Sequence, residues 1–434
     1  MKYFLVLLLL CNTLLSFSQE TTLDELFNNS NYCEVIRVAD EQLSKNSNDY
    51  SAWYYKGLAE NALYKFKESS VSFANAYKLS PNNQQILFLL ATALESEGNI
   101  LESINTYKKI VSSDSTNIQA NSRLASLYKN QKEYINAVNI YKKLIKQDST
   151  NGYFYSQLAY CCDKMGFFLP VISYYEKAVS LNPNDYQSQH ALISELVSQK
   201  YYDIATYYID SFLIQYPIDF YLLKQKAYVS ALSGRYLDAV KEFKHVISVG
   251  DSSLFSYKYY GQSLYNNGQF DESVIWLDKY LKKRPDDFQN QLIMGLACQH
   301  DYQYEKSLTH LDIAMYLKYD KKMIARIFSE KATTQIKYGD YLGYRDSIPE
   351  HSEKYYTDAR DNYLKSLEIY ADGYNILKDL GLLYETKMKD MKIALYYYEK
   401  YYDALNPNDI NEHELDWIQQ KISGLKETVF FIGN

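Results

Sequence analysis

Residues 50–83 read YSAWYYKGLAENALYKFKESSVSFANAYKLSPNN, and residues 84–117 read QQILFLLATALESEGNILESINTYKKIVSSDSTN. The two stretches are equal in length, and laid over each other they keep the same residue character slot by slot. The frame of 34 residues continues without a gap through eight units to residue 321. Slot 8 holds Gly57, Ala91, Ala125, Ala159, Ile193, Ala227, Gly261 and Gly295, small in all but one unit. Slot 20 holds Ser69, Ser103, Ala137, Val171, Ala205, Ala239, Ser273 and Ser307. Slot 17 carries a large side chain throughout, as at Phe66, Tyr134, Tyr202 and Phe270, and slot 28 is apolar throughout, as at Tyr77, Val111, Ile145 and Leu281. Pro81, Pro183, Pro217 and Pro285 share slot 32.

Each unit therefore contains two apolar stretches of helical period, parted by a turn that carries Gly98, Gly166, Gly234 or Gly268 in half of the units. Small residues at slots 8 and 20 let the two helices of a unit approach closely. An aromatic side chain near the turn fills the space toward the next unit, and proline ends the second helix because it cannot continue the hydrogen-bond ladder. A unit of this size buries its apolar faces only by stacking on neighbours, so the pattern predicts one continuous core along the array.

This pattern resembles the tetratricopeptide repeat (TPR) family, whose period and small/aromatic/proline signature it follows; Trp53, Gly57, Phe73, Ala76 and Pro81 make the first full unit the nearest to it. The resemblance implies an all-α fold, an α-α superhelix (right-handed solenoid) of about eleven helix-turn-helix units. Residues 19–49 read as a degenerate first unit, with Leu23, Leu26, Val35, Ala39 and Leu43 in the expected slots. Residues 50–321 are the eight regular units. Residues 322–373 read as a unit whose first helix ends at Gly339 and which carries an inserted loop at 341–353 (YLGYRDSIPEHSE). Residues 374–408 form a last unit, and 409–434 a capping helix and an unplaced apolar tail.

Composition agrees with a long helical chain. In 434 residues there are only 7 Pro and 15 Gly, fewer than a large β-sandwich or a doubly wound nucleotide-binding fold uses. The 47% hydrophobic and 23% charged content excludes a disordered chain, and a net charge of −7 gives no footprint for nucleic acid. Tyrosine is the outlier, at 48 residues. Slots 17 and 24 are aromatic in twelve of sixteen cases, seven of them tyrosine, which assigns those rings to packing between units.

Residues 1–18, MKYFLVLLLLCNTLLSFS, have one lysine, a short apolar run and small residues Ser16 and Ser18, the layout of a cleaved signal peptide. The apolar run is far below the ~20 residues a membrane span needs. These features predict export to a periplasm or cell envelope, with no transmembrane segment in the mature chain and peripheral envelope association. Acylation on Cys11 is the alternative, although Leu10 stands where a lipoprotein box has a small residue.

No phosphate loop, zincin motif, nucleophile elbow or dinucleotide fingerprint occurs, so the reading names no catalytic, metal or cofactor-binding residue and no cofactor. His413, within Glu412-His413-Glu414, reads as a surface charge cluster rather than a metal site. Cys33, Cys161, Cys162 and Cys298 read as small buried residues; Cys162 and Cys298 share a slot four units apart, too far for a disulfide.

Function is expected on the first helices. In TPR arrays these line the concave groove, and slots 2, 5, 9, 12 and 13 point into it. Here those slots supply amide and polar groups at Gln85, Gln119, Asn130, Gln187, His190, Gln262, Asn266 and Gln289, and rings at Tyr54, Phe88, Tyr153, Tyr160, Tyr221 and Tyr228. Lys224 and Lys258 add charge at slot 5. Such a face can hydrogen-bond an extended peptide or helix of a protein partner. The expected role is a non-enzymatic interaction scaffold or envelope assembly factor. The Tyr228 and Gln262 neighbours of the two lysines argue against the chaperone-tail binding of TPR co-chaperones. The alternative is glycan or ligand binding of the starch-utilisation type, on an aromatic patch of Tyr153, Tyr160, Tyr221 and Tyr228.

Overall fold

A computed structural model describes residues 22–317, 320–346, 349–371, 373–405 and 412–432. Residues 1–18, expected to be a signal peptide and including Cys11, lie outside these, as does Pro407. The described residues are helical and contain no strand. Contacts divide the chain into two compact units, 1–195 and 196–434, with the division inside one helix.

The first compact unit contains α1 (Leu23–Asn28), α2 (Tyr32–Lys45), α3 (Tyr50–Ala62), α4 (Phe66–Leu79), α5 (Gln84–Glu97), α6 (Ile100–Ser113), α7 (Ile118–Asn130), α8 (Tyr134–Gln147), α9 (Gly152–Lys164), α10 (Phe168–Leu181) and most of α11 (Tyr186–Ser198). The second begins in the last turn of α11. It continues with α12 (Tyr202–Gln215), α13 (Phe220–Leu232), α14 (Tyr236–Ser248), α15 (Leu254–Asn266), α16 (Phe270–Leu281), α17 (Phe288–His300), α18 (Tyr304–Tyr316), α19 (Lys321–Asp346), α20 (Pro349–Ile369), α21 (Asn375–Leu383), α22 (Met391–Ala404) and α23 (Glu412–Ile432). Consecutive helices pack on one another from α1 to α10 and from α12 to α23.

Local chemistry starts every first helix at slot 34. Asp49, Asn83, Asn117, Asn151, Asp185, Asp219, Ser253 and Asp287 each accept a hydrogen bond from a backbone N–H two or three residues on, as with Asn117 Oδ1 and Ala120 N at 2.9 Å. An N-cap of this kind satisfies one of the donors a helix start leaves open. The turn to the second helix needs a left-handed residue, and slot 15 supplies it in all eight units. Gly98, Gly166, Gly234 and Gly268 do so without strain, whereas Tyr64, Lys132, Lys200 and Tyr302 adopt φ of 61°, 62°, 63° and 59°.

The close crossing expected at slots 8 and 20 is present, and its third member is slot 24. A Cβ placed on Gly57 would lie 2.8 Å from the Phe73 ring, one on Gly261 2.8 Å from Leu277, and one on Gly295 2.8 Å from Leu311. At three of the four slot 20 serines the hydroxyl donates to the slot 8 carbonyl: Ser69 to Gly57 at 2.9 Å, Ser103 to Ala91 at 2.8 Å, Ser273 to Gly261 at 2.8 Å; the fourth, Ser307, instead meets the Thr334 hydroxyl at 3.4 Å. Slot 24 is the centre of the core. Phe73, Tyr107, Tyr141, Tyr175, Ile209, Phe243, Leu277 and Leu311 are all buried, each burial stabilising by about 1.5–3 kcal/mol. Slot 17 is half-buried beside the turn in Phe66, Tyr134, Tyr202, Tyr236 and Phe270.

Three expectations are corrected. The 341–353 insertion is not a loop: α19 passes through Gly339 to Asp346, and α20 starts at Pro349. Proline is tolerated in a helix's first turn, where its missing N–H has no intrahelical acceptor. The two long helices meet at three levels seven residues apart. Ser366 donates to the Ala325 carbonyl at 2.6 Å, Ala332 and Ala359 are fully buried, and Ser352 donates to the Gly339 carbonyl at 2.9 Å. The extra residues thus lengthen a helical hairpin by repeating its small-residue contact. Second, the apolar tail is placed: α23 runs as one helix to Ile432. Third, Cys33 is exposed, while Cys161, Cys162 and Cys298 are buried; all four are free thiols. Cys33 falls in slot 18, on the outer side of a second helix, where Leu101 and Ile135 are also exposed.

The last pair carries one residue too many. Gly381 meets the Tyr398 ring, 2.6 Å from where its Cβ would be, at a spacing of 17 residues instead of 16. A π-helical turn at Tyr384–Met388 absorbs the extra residue, and Lys389 then supplies the left-handed turn at φ 59°. α23 closes the array with Ile418 and Leu425 buried against this pair. Two ion-paired clasps hold it: Glu414 with Lys378 at 2.5 Å and Tyr401 at 2.7 Å, and Glu385 with Lys421 at 2.7 Å and Tyr398 at 2.7 Å.

Candidate binding clefts on the first helices

In the first compact unit the first helices frame two clefts. One, of about 530 Å³, lies between α5, α7 and α9 and is lined by Phe88, Gln119, Arg123, Tyr153 and Phe154. The other, of about 490 Å³, lies between α7, α9 and α11. Lys129, Asn130, Gln157, Tyr160 and Gln187 line it, with Lys132 and Tyr134 from the turn into α8. Six expected residues, Phe88, Gln119, Asn130, Tyr153, Tyr160 and Gln187, are therefore brought to two adjoining clefts. Phe88 stands edge-on to Tyr107, ring centroids 5.6 Å apart, and Tyr107 is buried deeply enough to push its hydroxyl up to about 12. Gln85 is exposed on α5 outside both clefts. Tyr54 stacks on Tyr50 at 6.1 Å, and His190 packs on the Tyr186 ring at 3.8 Å.

In the second compact unit a cleft of about 540 Å³ is lined by Gln262, Asn266 and Gln289 at its rim and by Tyr265, Phe288, Leu292, Ile293 and Leu296 below, with Met323 and Arg326 of α19. Leu292 and Leu296 occupy slots 5 and 9 yet are buried, because α19 packs Ile327 against them. Gln262 is held by the buried Asn290, Nε2 to Oδ1 2.9 Å.

The two slot 5 lysines are not open to a ligand carboxylate. Lys224 pairs with Asp251 at 3.5 Å and Lys258 with Asp287 at 3.1 Å. Burial works against the Asp287 charge. It is outweighed by hydrogen bonds from Tyr280, the Asn290 backbone and Lys258, which pull the carboxyl down to about 2. Tyr228 is spent on neighbouring rings, 4.5 Å from Tyr259 and 5.3 Å from Phe255. The expected aromatic patch falls as Tyr153 and Tyr160 in one compact unit and Tyr221 and Tyr228 in the other.

Sequence reasoning missed Arg123 and Gln157. Both stand at slot 6, which lies three or four residues from slots 2 and 9 and so shares their helix face. The stripe is wider than five slots. Among the described residues no group of histidine, cysteine or acidic side chains is placed to hold a metal, and no helix is long and apolar enough to cross a membrane.

Residues 118–151 match the tetratricopeptide repeat family model. Those limits coincide with one 34-residue unit, α7 with α8, in the frame that starts at Tyr50. That unit is a tetratricopeptide repeat. A TPR repeat-containing protein of Methanocaldococcus jannaschii is 36% identical over 81 residues, a match spanning 18% of this chain and 14% of that protein. Among solved structures, a tetratricopeptide repeat protein from Parabacteroides merdae is 15% identical, covering 65% of this chain and 98% of its own, with a TM-score of 0.40. The C-terminal part of a TPR repeat-containing protein from Cytophaga hutchinsonii is 16% identical, covering 62% and 96%, with a TM-score of 0.42. The tetratricopeptide repeat fold suggests protein–protein interaction.

Proposed function

We propose that this TPR protein is a non-enzymatic scaffold that holds extended peptide segments of protein partners on its first helices, and that it works after export, in a periplasm or cell envelope. The observation that carries the reading is the lining of the clefts. On both compact units first helices bring amide side chains, from slot 2 (Gln119, Gln187, Gln289) and slot 9 (Gln262), to the edge of an aromatic or apolar hollow. Amides donate and accept, so they can pair with a peptide backbone whatever its sequence, while the hollow takes a side chain. The signal-like residues 1–18 support the location.

Site-specific photo-crosslinking in envelope preparations tests it. A crosslinker at Gln119, Gln187 or Gln262 is expected to trap a partner that a crosslinker at the outer-face residues Leu101 and Ile135 does not. Crosslinks confined to the outer positions would overturn the assignment.

A further inference from the structure

The cleft between α7, α9 and α11 carries more positive charge than its surroundings neutralise. The Lys129 ammonium lies 5.7 Å and the Lys164 ammonium 5.3 Å from the centroid of the same Tyr160 ring. Lys164 is matched by Asp163 at 3.0 Å. Lys129 instead donates to a neutral amide, Gln157 Oε1, at 2.7 Å. Lys132 stands in the lining of the same cleft, on the left-handed turn residue between α7 and α8. Among the described residues neither Lys129 nor Lys132 forms an ion pair, in contrast to Lys224 and Lys258, whose charges are met by Asp251 and Asp287. In a chain of net charge −7 this is a local surplus of two cations on a binding face.

We propose that this cleft receives an acidic side chain of an extended peptide, and that the adjoining cleft at Phe88, Tyr153 and Phe154 takes an apolar side chain of the same segment. The proposal rests on the peptide-binding reading above and narrows it to a class of segment. The carboxylate displaces nothing already paired: an ammonium has three donors, and Lys129 spends one on Gln157. A charge-assisted bond in a partly enclosed cleft is stronger than one to open solvent. The arrangement disfavours a sugar here, because a ring whose surroundings hold two ammonium groups is not a bare stacking platform.

The spacing between the two side chains follows from the helix carrying both clefts. Tyr153 and Tyr160 are seven residues apart on α9, ~10 Å at a ~1.5 Å rise. A peptide in polyproline-II extension advances ~3.1 Å per residue with about three residues per turn, so an acidic and an apolar side chain about three residues apart share one face and cover this distance. The proposal places the acid as a side chain rather than a chain end, a distinction that probes with an amidated and with a free C-terminus separate.

Fluorescence polarisation on the whole mature chain tests this with N-acetylated, C-amidated twelve-residue probes. One carries Glu three residues from Phe in a Gly/Ser background, and a second has Gln in place of Glu. The Glu probe should bind about fivefold or more tightly than the Gln probe, with the advantage fading as salt rises. Lys129→Met and, separately, Lys132→Met should each reduce that advantage. Lys132 lies in an exposed turn, so its variant keeps the test valid if the other fails to fold. Equal binding of the two probes, unaltered by either substitution, overturns the carboxylate site and leaves the peptide reading standing. Binding only when the probe has a free C-terminal carboxylate overturns the internal placement. If neither probe binds while a maltohexaose probe does, the peptide reading falls with it.

Discussion

At Gly57 a single hydrogen atom decides whether two helices can cross. The Phe73 ring occupies the space a methyl group would need, 2.8 Å from the position of a Cβ. Phe73 is buried and cannot swing away without opening the core. Gly57→Ala is therefore expected to destabilise by about 1–3 kcal/mol, the usual scale of overpacking, despite alanine's better helix propensity. A urea-unfolding midpoint no lower than that of the parent chain would refute the close-crossing account. Gly57 and Phe73 were legible as members of recurring slots, but their mutual contact was not, since periodicity shows which residues recur and not which of them touch. The turn residues teach the same lesson. Gly98, Gly166, Gly234 and Gly268 announce a left-handed turn; Tyr64, Lys132, Lys200 and Tyr302 hold the same backbone shape with side chains that do not advertise it. Lys224 and Lys258 were legible as charges on the binding face. Their partners stand at the start of the following first helix, Asp287 as its cap and Asp251 two residues before the cap Ser253, and only the fold brings them near.

Among the elements, α23 is attached by groups that titrate. Hydrogen bonds from Lys378 and then Tyr401 hold the Glu414 carboxyl below the ordinary glutamate value of 4.5. At Glu385 burial pushes the other way, but bonds from Lys421 and Tyr398 prevail and the carboxyl is again held low. A depressed carboxyl contributes stability that is complete above its unfolded-state value and lost as the pH falls through the lower folded-state value. Glu330 of α19 and Asp379 of α21 are shifted the opposite way by burial, so protonation does not cost them their place. On acidification below about pH 4.5, amide-exchange protection should fall in α23 before it falls in α19 and α21. Simultaneous loss in all three would argue against the clasps as the pH-sensitive joint. The cap itself could be read from its charged outer face and its place after the last unit. Its extension to Ile432 could not, because an apolar tail after a capping helix reads equally as a free end.

For the whole molecule, stability is distributed among neighbours. A repeat whose helices touch only the adjacent repeats passes damage no further than its interfaces carry it. Gly261→Ala, which drives a methyl group against Leu277, should lower amide protection in α15, α16 and the helices packed directly on them. Protection in α3 to α6 is expected to stay unchanged. Uniform loss along the chain would show that it unfolds as one cooperative body instead. The eight regular units were legible because 34-residue spacing repeats without interruption. Residues 322–373 are not legible in the same way, because Gly339 has the look of a helix stop and Pro349 of a loop, and the 34-residue period does not reach them. The period that governs that pair is seven: Ala325, Ala332 and Gly339 on one helix, Ser366, Ala359 and Ser352 on the other.

That seven-residue period makes the α19–α20 hairpin adjustable in length. Removing one step from each helix, or adding one, keeps small residues opposite small residues and shifts the tip by two helical turns, ~10 Å. The tip can therefore be moved in fixed increments while the base, where the pair joins its neighbours, keeps the same faces in contact. A protein family that inherited such a hairpin has a ruler within it, and differences in its length among relatives are expected to come in multiples of fourteen residues.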